Sequence, residues 1–152
     1  MPDEELDPII IQVSVPLPIS MIHGALLDPA QLSRSFCDAA EIEPRLGGRY
    51  ELTYRGEPEF TSRGEITRLT PDVDVGYTWR APAPHDRTMN EPEPKTHVYF
   101  RLQDSPEGID VTLEHAGWES GEAWEEARSF HFRLWDDRLH RFKEQLLRDA
   151  YG

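Results

Sequence analysis

A single cysteine, Cys37, stands in a chain of 152 residues, so no disulfide can form within it. Such a chain suits a reducing compartment. Cys37 is expected as a small buried hydrophobe, since no histidine pairs with it to make a nucleophile. Long apolar runs are missing too. The longest aliphatic stretch is Ile9-Ile10-Ile11, against the roughly 20 residues needed to cross a bilayer. The N-terminal Met1-Pro2-Asp3-Glu4-Glu5-Leu6-Asp7 is acidic and lacks the basic and apolar regions of a signal peptide, so a cytoplasmic location is expected. Clusters of Lys and Arg are absent: 16 basic residues lie scattered among 29 acidic ones, for a net charge of −13. Phosphate backbones and anionic lipid surfaces would be repelled, which excludes nucleic acid and membrane as partners. No Cys pair and no His-Glu-x-x-His pattern offers a metal site. No Gly-x-Ser-x-Gly elbow offers a nucleophile, and no cofactor motif is present.

What is present is one domain's worth of patterned sequence, 38% hydrophobic and 10% aromatic. An acidic tail, residues 1–8, precedes a single domain, residues 9–152. Ile9, Ile11, Val13 and Val15 alternate as one face of a strand that Pro16 and Pro18 stop. Two short helices are expected next, over Ile19–Leu27 and Pro29–Phe36, the second with Asp28 as N-cap and Pro29 in its first turn. Strands follow with period-2 alternation: Tyr50, Leu52 and Tyr54; Val75, Tyr77 and Trp79; Val98, Phe100 and Leu102; Ile109, Val111, Leu113 and His115. That pattern marks an antiparallel sheet with one covered and one wet face. Arg55-Gly56-Glu57-Pro58 and Ser105-Pro106-Glu107-Gly108 carry turn chemistry. Ala81 to Lys95 holds Pro82, Pro84, Pro92 and Pro94, too many for a strand, and reads as a long loop or a lid.

The chain closes with a long helix, about Glu122–Leu147, with Ser120 as the expected cap. Trp124, Ala127, Phe130, Leu134, Trp135, Leu139, Phe142 and Leu146 fall on one side of it, with Ala123, and charged and polar residues on the other. Such a helix must lie across the sheet. Strand, two short helices, strand meander and long helix together give an α+β helix-grip architecture, a curved antiparallel sheet wrapped around the C-terminal helix.

Four fragments recur in a telling order: Glu41-Ile42-Glu43-Pro44-Arg45-Leu46-Gly47-Gly48-Arg49-Tyr50; Gly64-Glu65-Ile66 with Leu69-Thr70-Pro71; Tyr77-Thr78-Trp79-Arg80; and Val111-Thr112-Leu113-Glu114-His115-Ala116-Gly117-Trp118. The series resembles the family named for the activator of the 90-kDa heat-shock protein ATPase, within the START-like (SRPBCC) superfamily. The resemblance runs from Ile9 to about Leu147 and implies the fold of the major birch-pollen allergen. Members include co-chaperones, ligand carriers and enzymes, so it implies no single activity. Gly47-Gly48 precedes a strand, not a helix, and is expected as a turn, not a phosphate loop. Gly117-Trp118 is expected as the bend before the long helix, with Trp118 beneath it.

Small-molecule sites are concave, apolar and furnished with a few polar groups. A sheet curling around one helix can leave such a cavity. Its expected lining is Tyr54, Tyr77, Trp79, Phe100, His115, Trp118, Phe130, His131, Leu134 and Arg138. Arg138 needs a carboxylate, a wet cavity or a route to the surface, because burying it unpaired is costly. With His115 and His131 it could meet the polar end of an amphipathic ligand. His97 and His115 fall on opposite faces of the sheet, which speaks against a metal.

Three readings follow. The first is a small hydrophobic or amphipathic ligand-binding domain without catalytic residues. The second is a chaperone-interacting module like the family's namesake, although eukaryotic namesakes carry this domain behind a separate N-terminal one. The third is a cavity enzyme, a cyclase or hydrolase using His115 or His131 with a carboxylate. An exposed edge strand would let the chain act as monomer or homodimer.

Overall fold

The alternation of Ile9, Ile11, Val13 and Val15 becomes β1 (Ile9–Val15), whose odd-numbered residues are buried. The structure, a computed structural model, describes residues 5–56 and 59–152. The first half of the acidic tail, residues 1–4, and the turn residues Glu57 and Pro58 therefore lie outside the described residues. Behind Pro18 comes α1 (Ile19–Leu26), and behind Asp28 comes α2 (Pro29–Leu32). Asp28 caps α2 as expected, its Oδ1 accepting the Ala30 N–H at 3.0 Å. The second helix stops four residues short of Phe36. The chain unwinds through Ser33–Ser35, and Phe36 and Cys37 both turn into the interior.

The sheet follows as β2 (Ala39–Ile42), β3 (Arg49–Tyr54), β4 (Phe60–Thr61), β5 (Gly64–Thr70), β6 (Asp74–Trp79), β7 (Thr96–Ser105) and β8 (Gly108–Ala116). All neighbours pair antiparallel in the order β1-β8-β7-β6-β5-β3-β2, with β4 pairing β3. The result is a curled antiparallel half-barrel. Gly47 and Gly48 make the turn from β2 to β3, Gly47 at φ +78. A side chain at Gly48 would strike the Glu43 carbonyl, so the turn closes only around glycine. β7 and β8 form a hairpin in which Ser105 pairs Gly108 across Pro106-Glu107.

The concave face is crossed by α4 (Glu122–Tyr151), longer than the sequence pattern suggested. Its buried stripe is Trp124, Ala127, His131, Trp135, Leu139, Phe142 and Leu146, a repeat of three to four residues that keeps one face on the sheet. Ser120 is not its cap. Gly121 holds that position, because the first helical bond runs from Glu125 N–H to the Gly121 carbonyl at 2.9 Å. Phe130 and Leu134, placed on the apolar side by the sequence, sit at the stripe's margin and are half-buried.

The proline-rich stretch also departs from a plain loop. It carries the short helix α3 (Asp86–Asn90), and Met89 is fully buried. The Asn90 amide donates to the Ala81 carbonyl at 2.9 Å and accepts the Ala81 N–H at 2.7 Å. The segment is thereby pinned to the body rather than free as a lid.

Candidate functional site

Between the sheet and α4 the side chains divide into two neighbourhoods. The first gathers His115 from β8, His131 from α4, Trp79 from β6, Trp135 from α4 and Trp118 from the bend that follows β8. Gly117 makes that bend at φ +103, with space for no Cβ beside the Lys95 carbonyl. Both imidazoles are buried and their rings stand 5.3 Å apart.

Indole N–H groups can only donate, and this decides the tautomers. Trp79 Nε1–H donates to His131 Nε2 at 2.9 Å, so His131 carries its proton on Nδ1, which donates to the Ala127 carbonyl at 2.7 Å. Trp135 Nε1–H donates to His115 Nδ1 at 2.9 Å, so His115 Nε2–H donates to Thr96 Oγ1 at 2.8 Å. Trp118 Nε1–H completes the set by donating to the His115 carbonyl at 2.7 Å. All four ring nitrogens are engaged within the protein. A proton added to either ring would set N–H against N–H. Burial, aided by the neighbouring His131 and His97, holds His115 well below its ordinary range. Burial likewise brings His131 down to about 3, with His85 adding to the effect and the Ala127 carbonyl opposing it.

The second neighbourhood lies toward β3. Tyr50 stacks on Tyr77 at 4.1 Å, and its hydroxyl donates to the Leu26 carbonyl at 2.6 Å. Tyr54 from β3 stacks on the half-buried Phe60 of β4 at 5.1 Å. The Arg138 guanidinium stands over the Tyr54 ring at 5.4 Å. The Tyr54 and Tyr77 hydroxyls and Arg138 Nε are buried without a hydrogen-bond partner. Asp137 comes near, but its Oδ2 lies 3.6 Å from Arg138 Nε, too far to accept that proton. The Arg138 side chain is 23% exposed, so this neighbourhood has one wet margin. Burial pushes both tyrosines well above their usual range, so they stay protonated donors. Burial, reinforced by Asp38, also pushes the Cys37 thiol up to about 12, which rules out a ready thiolate.

Of the ten residues expected to line a cavity, His115, His131, Trp79 and Trp118 thus meet in the first neighbourhood. Tyr54, Tyr77 and Arg138 belong to the second, and Phe100 bridges toward it, 6.4 Å from the Tyr77 ring. Phe130, half-buried at the helix margin, packs on His131 at 4.9 Å and on His85 at 5.1 Å, and Leu134 stays at that margin too. The sequence reading missed Trp135, Thr96, Tyr50 and Cys37 as members. Trp135, one turn beyond His131, and Tyr50, in register with Leu52 and Tyr54, had a signal; Thr96 and Cys37 are joined by pairing and chain turns that no periodicity announces. Surface grooves lie elsewhere, including one of about 400 Å³ on the outer face of the sheet beside Arg68, His97 and Tyr99. Among the described residues no group of three or more His, Cys, Asp or Glu could hold a metal ion, and no helix is long and apolar enough to cross a membrane.

Residues 16–146 match the family described as "Activator of Hsp90 ATPase homolog 1-like protein". No curated protein matches the chain in sequence. Among solved structures, protein MLL2253 from Mesorhizobium loti superposes with a TM-score of 0.76 at 17% identity, covering 93% of this chain and 97% of that one. The Aha1 dimer from Colwellia psychrerythraea, a solution structure, gives 0.71 at 17% identity over 93% and 96%. DynU16, from the dynemicin biosynthetic locus, gives 0.67 at 17% identity over 93% of this chain and 47% of that one. At such identities the likeness is one of fold.

Proposed function

The chain belongs to the Activator of Hsp90 ATPase homolog 1-like family, and from that premise we propose that it binds a small hydrophobic or amphipathic molecule between the sheet and α4, without chemistry. The observation that supports this reading is the set of buried, unpartnered polar atoms at Tyr54, Tyr77 and Arg138 beside an aromatic wall. A donor shut away from water without an acceptor costs about 1–3 kcal/mol. A ligand or a water that supplies the acceptor removes that cost. Tyr54, Tyr77, Trp79, Phe100 and Arg138 are the proposed contacts, with the His115–His131 cluster as the rigid wall behind them. The acid–base reading loses ground, because neither imidazole has a free nitrogen to move a proton.

The test is a thermal-shift screen against fatty acids, sterols, flavonoids and polyketides. A ligand at about a hundred times its dissociation constant stabilises by roughly 2.7 kcal/mol, which raises the melting point of a domain this size by roughly 5–10 °C. A flat screen with a clean melt would defeat the reading. It would leave the family's chaperone contact, checked by adding the protein in excess to an Hsp90 ATPase assay.

A further inference from the structure

Resting on that reading, we infer that the bound molecule is an acid, and that its carboxylate is held by Tyr54, Tyr77 and Arg138. The Tyr54 and Tyr77 side chains are 6% and 0% exposed, and their hydroxyls are buried without partners, as is Arg138 Nε–H. The Arg138 guanidinium, 5.4 Å above the Tyr54 ring, fixes the charge at this end of the interior. Counting donors against acceptors selects the ligand. Tyr50 is already committed to the Leu26 carbonyl, and the remaining three groups all have a proton to give.

A ketone or ester carbonyl offers two lone pairs and leaves one donor of three unmet. A carboxylate offers about four, enough for both phenols and the arginine. Arginine and carboxylate also match in shape and charge. Asp137 Oδ2, 3.6 Å from Arg138 Nε, already offsets part of the guanidinium charge, so a single negative charge suits the site better than a phosphate dianion. The rest of the ligand would lie against Phe100 and Trp79, where no polar atom is left to receive it: the Trp79 N–H is taken by His131.

The experiment compares two pairs of probes of equal shape, octanoate with octanamide and 1-naphthylacetate with its amide, by calorimetric titration near neutral pH. The wild-type protein should hold each acid roughly tenfold or more tighter than its amide, the effect of one hydrogen bond to a charged group. Arg138→Leu, and separately the Tyr54→Phe/Tyr77→Phe pair, should bring acid and amide to within about threefold of each other, with amide affinity little changed. Arg138→Gln serves if the leucine variant melts early. Acid and amide bound alike by wild type would overturn the carboxylate assignment and leave the ligand-binding reading standing. An acid preference that survives both variants would place the carboxylate elsewhere and also overturn it. No binding of any probe up to millimolar concentration would overturn both.

Discussion

The two halves of the interior are built from the same materials, aromatic rings and a few polar groups, yet they balance differently. Around His115 and His131 every indole N–H and every imidazole nitrogen has a partner at 2.7–2.9 Å. Around Tyr54, Tyr77 and Arg138, three donors have none. A saturated buried network specifies one arrangement and resists change. An unsaturated one is complete only with something added. The contrast separates the part of the core that makes the fold from the part that can serve a ligand, a separation burial alone would not draw, since the two histidines and the two tyrosines are all buried.

The sharpest way to break the comparison is Trp79→Phe. It leaves His131 Nε2 without its donor and opens a void, so roughly 2–4 kcal/mol should be lost, seen as a fall in the melting point. A loss below about 1 kcal/mol would mean that the network is not the rigid half.

Acid offers a second probe. Both buried histidines are neutral when folded and titrate near 6.5 when unfolded. Unfolding therefore takes up protons below that value. The stability is intact above pH 6.5 and is lost as pH falls toward about 3, where His131 itself titrates, at roughly 1 kcal/mol per pH unit for each histidine. Urea melts between pH 7 and 4 would measure this, and His131→Gln should make the slope shallower by about one proton.

The smallest effect belongs to the other half. Tyr54→Phe and Tyr77→Phe remove hydroxyls that have no partner, so in ligand-free protein neither should cost stability and each should raise it by about 1 kcal/mol, the low end of the unpaired-donor penalty. A loss like that of Trp79→Phe would erase the distinction between the halves.

Much of the fold was legible because its strands have one dry face. Tyr50, Leu52 and Tyr54, or Ile109, Val111 and Leu113, alternate without interruption, and each became a strand. β5 did not announce itself, since its register shifts between Ile66 and Arg68 and its second half is largely exposed. α3 was hidden by the prolines around it. The site was only half legible. Tyr54 and Tyr77 were expected among the inward rings and Arg138, with His115 and His131, among the inward polar groups, but nothing in the sequence says that Trp79 and Trp135 reach the histidines across the interior. That pairing turned two presumed ligand contacts into wall. Cys37 and Phe36 point inward because the chain abandons α2 early, a choice made by tertiary packing and not by local propensity.

Asn90 has a consequence of another kind. By taking both the N–H and the carbonyl of Ala81, one side-chain amide ties the ends of residues 81–90 as a neighbouring strand would. Together with the burial of Met89, that knot removes conformational freedom from the excursion, and the entropy of closing it is met locally. Untied, the stretch would behave as one with a longer free contour, open to proteases along its length while the sheet beside it stays whole.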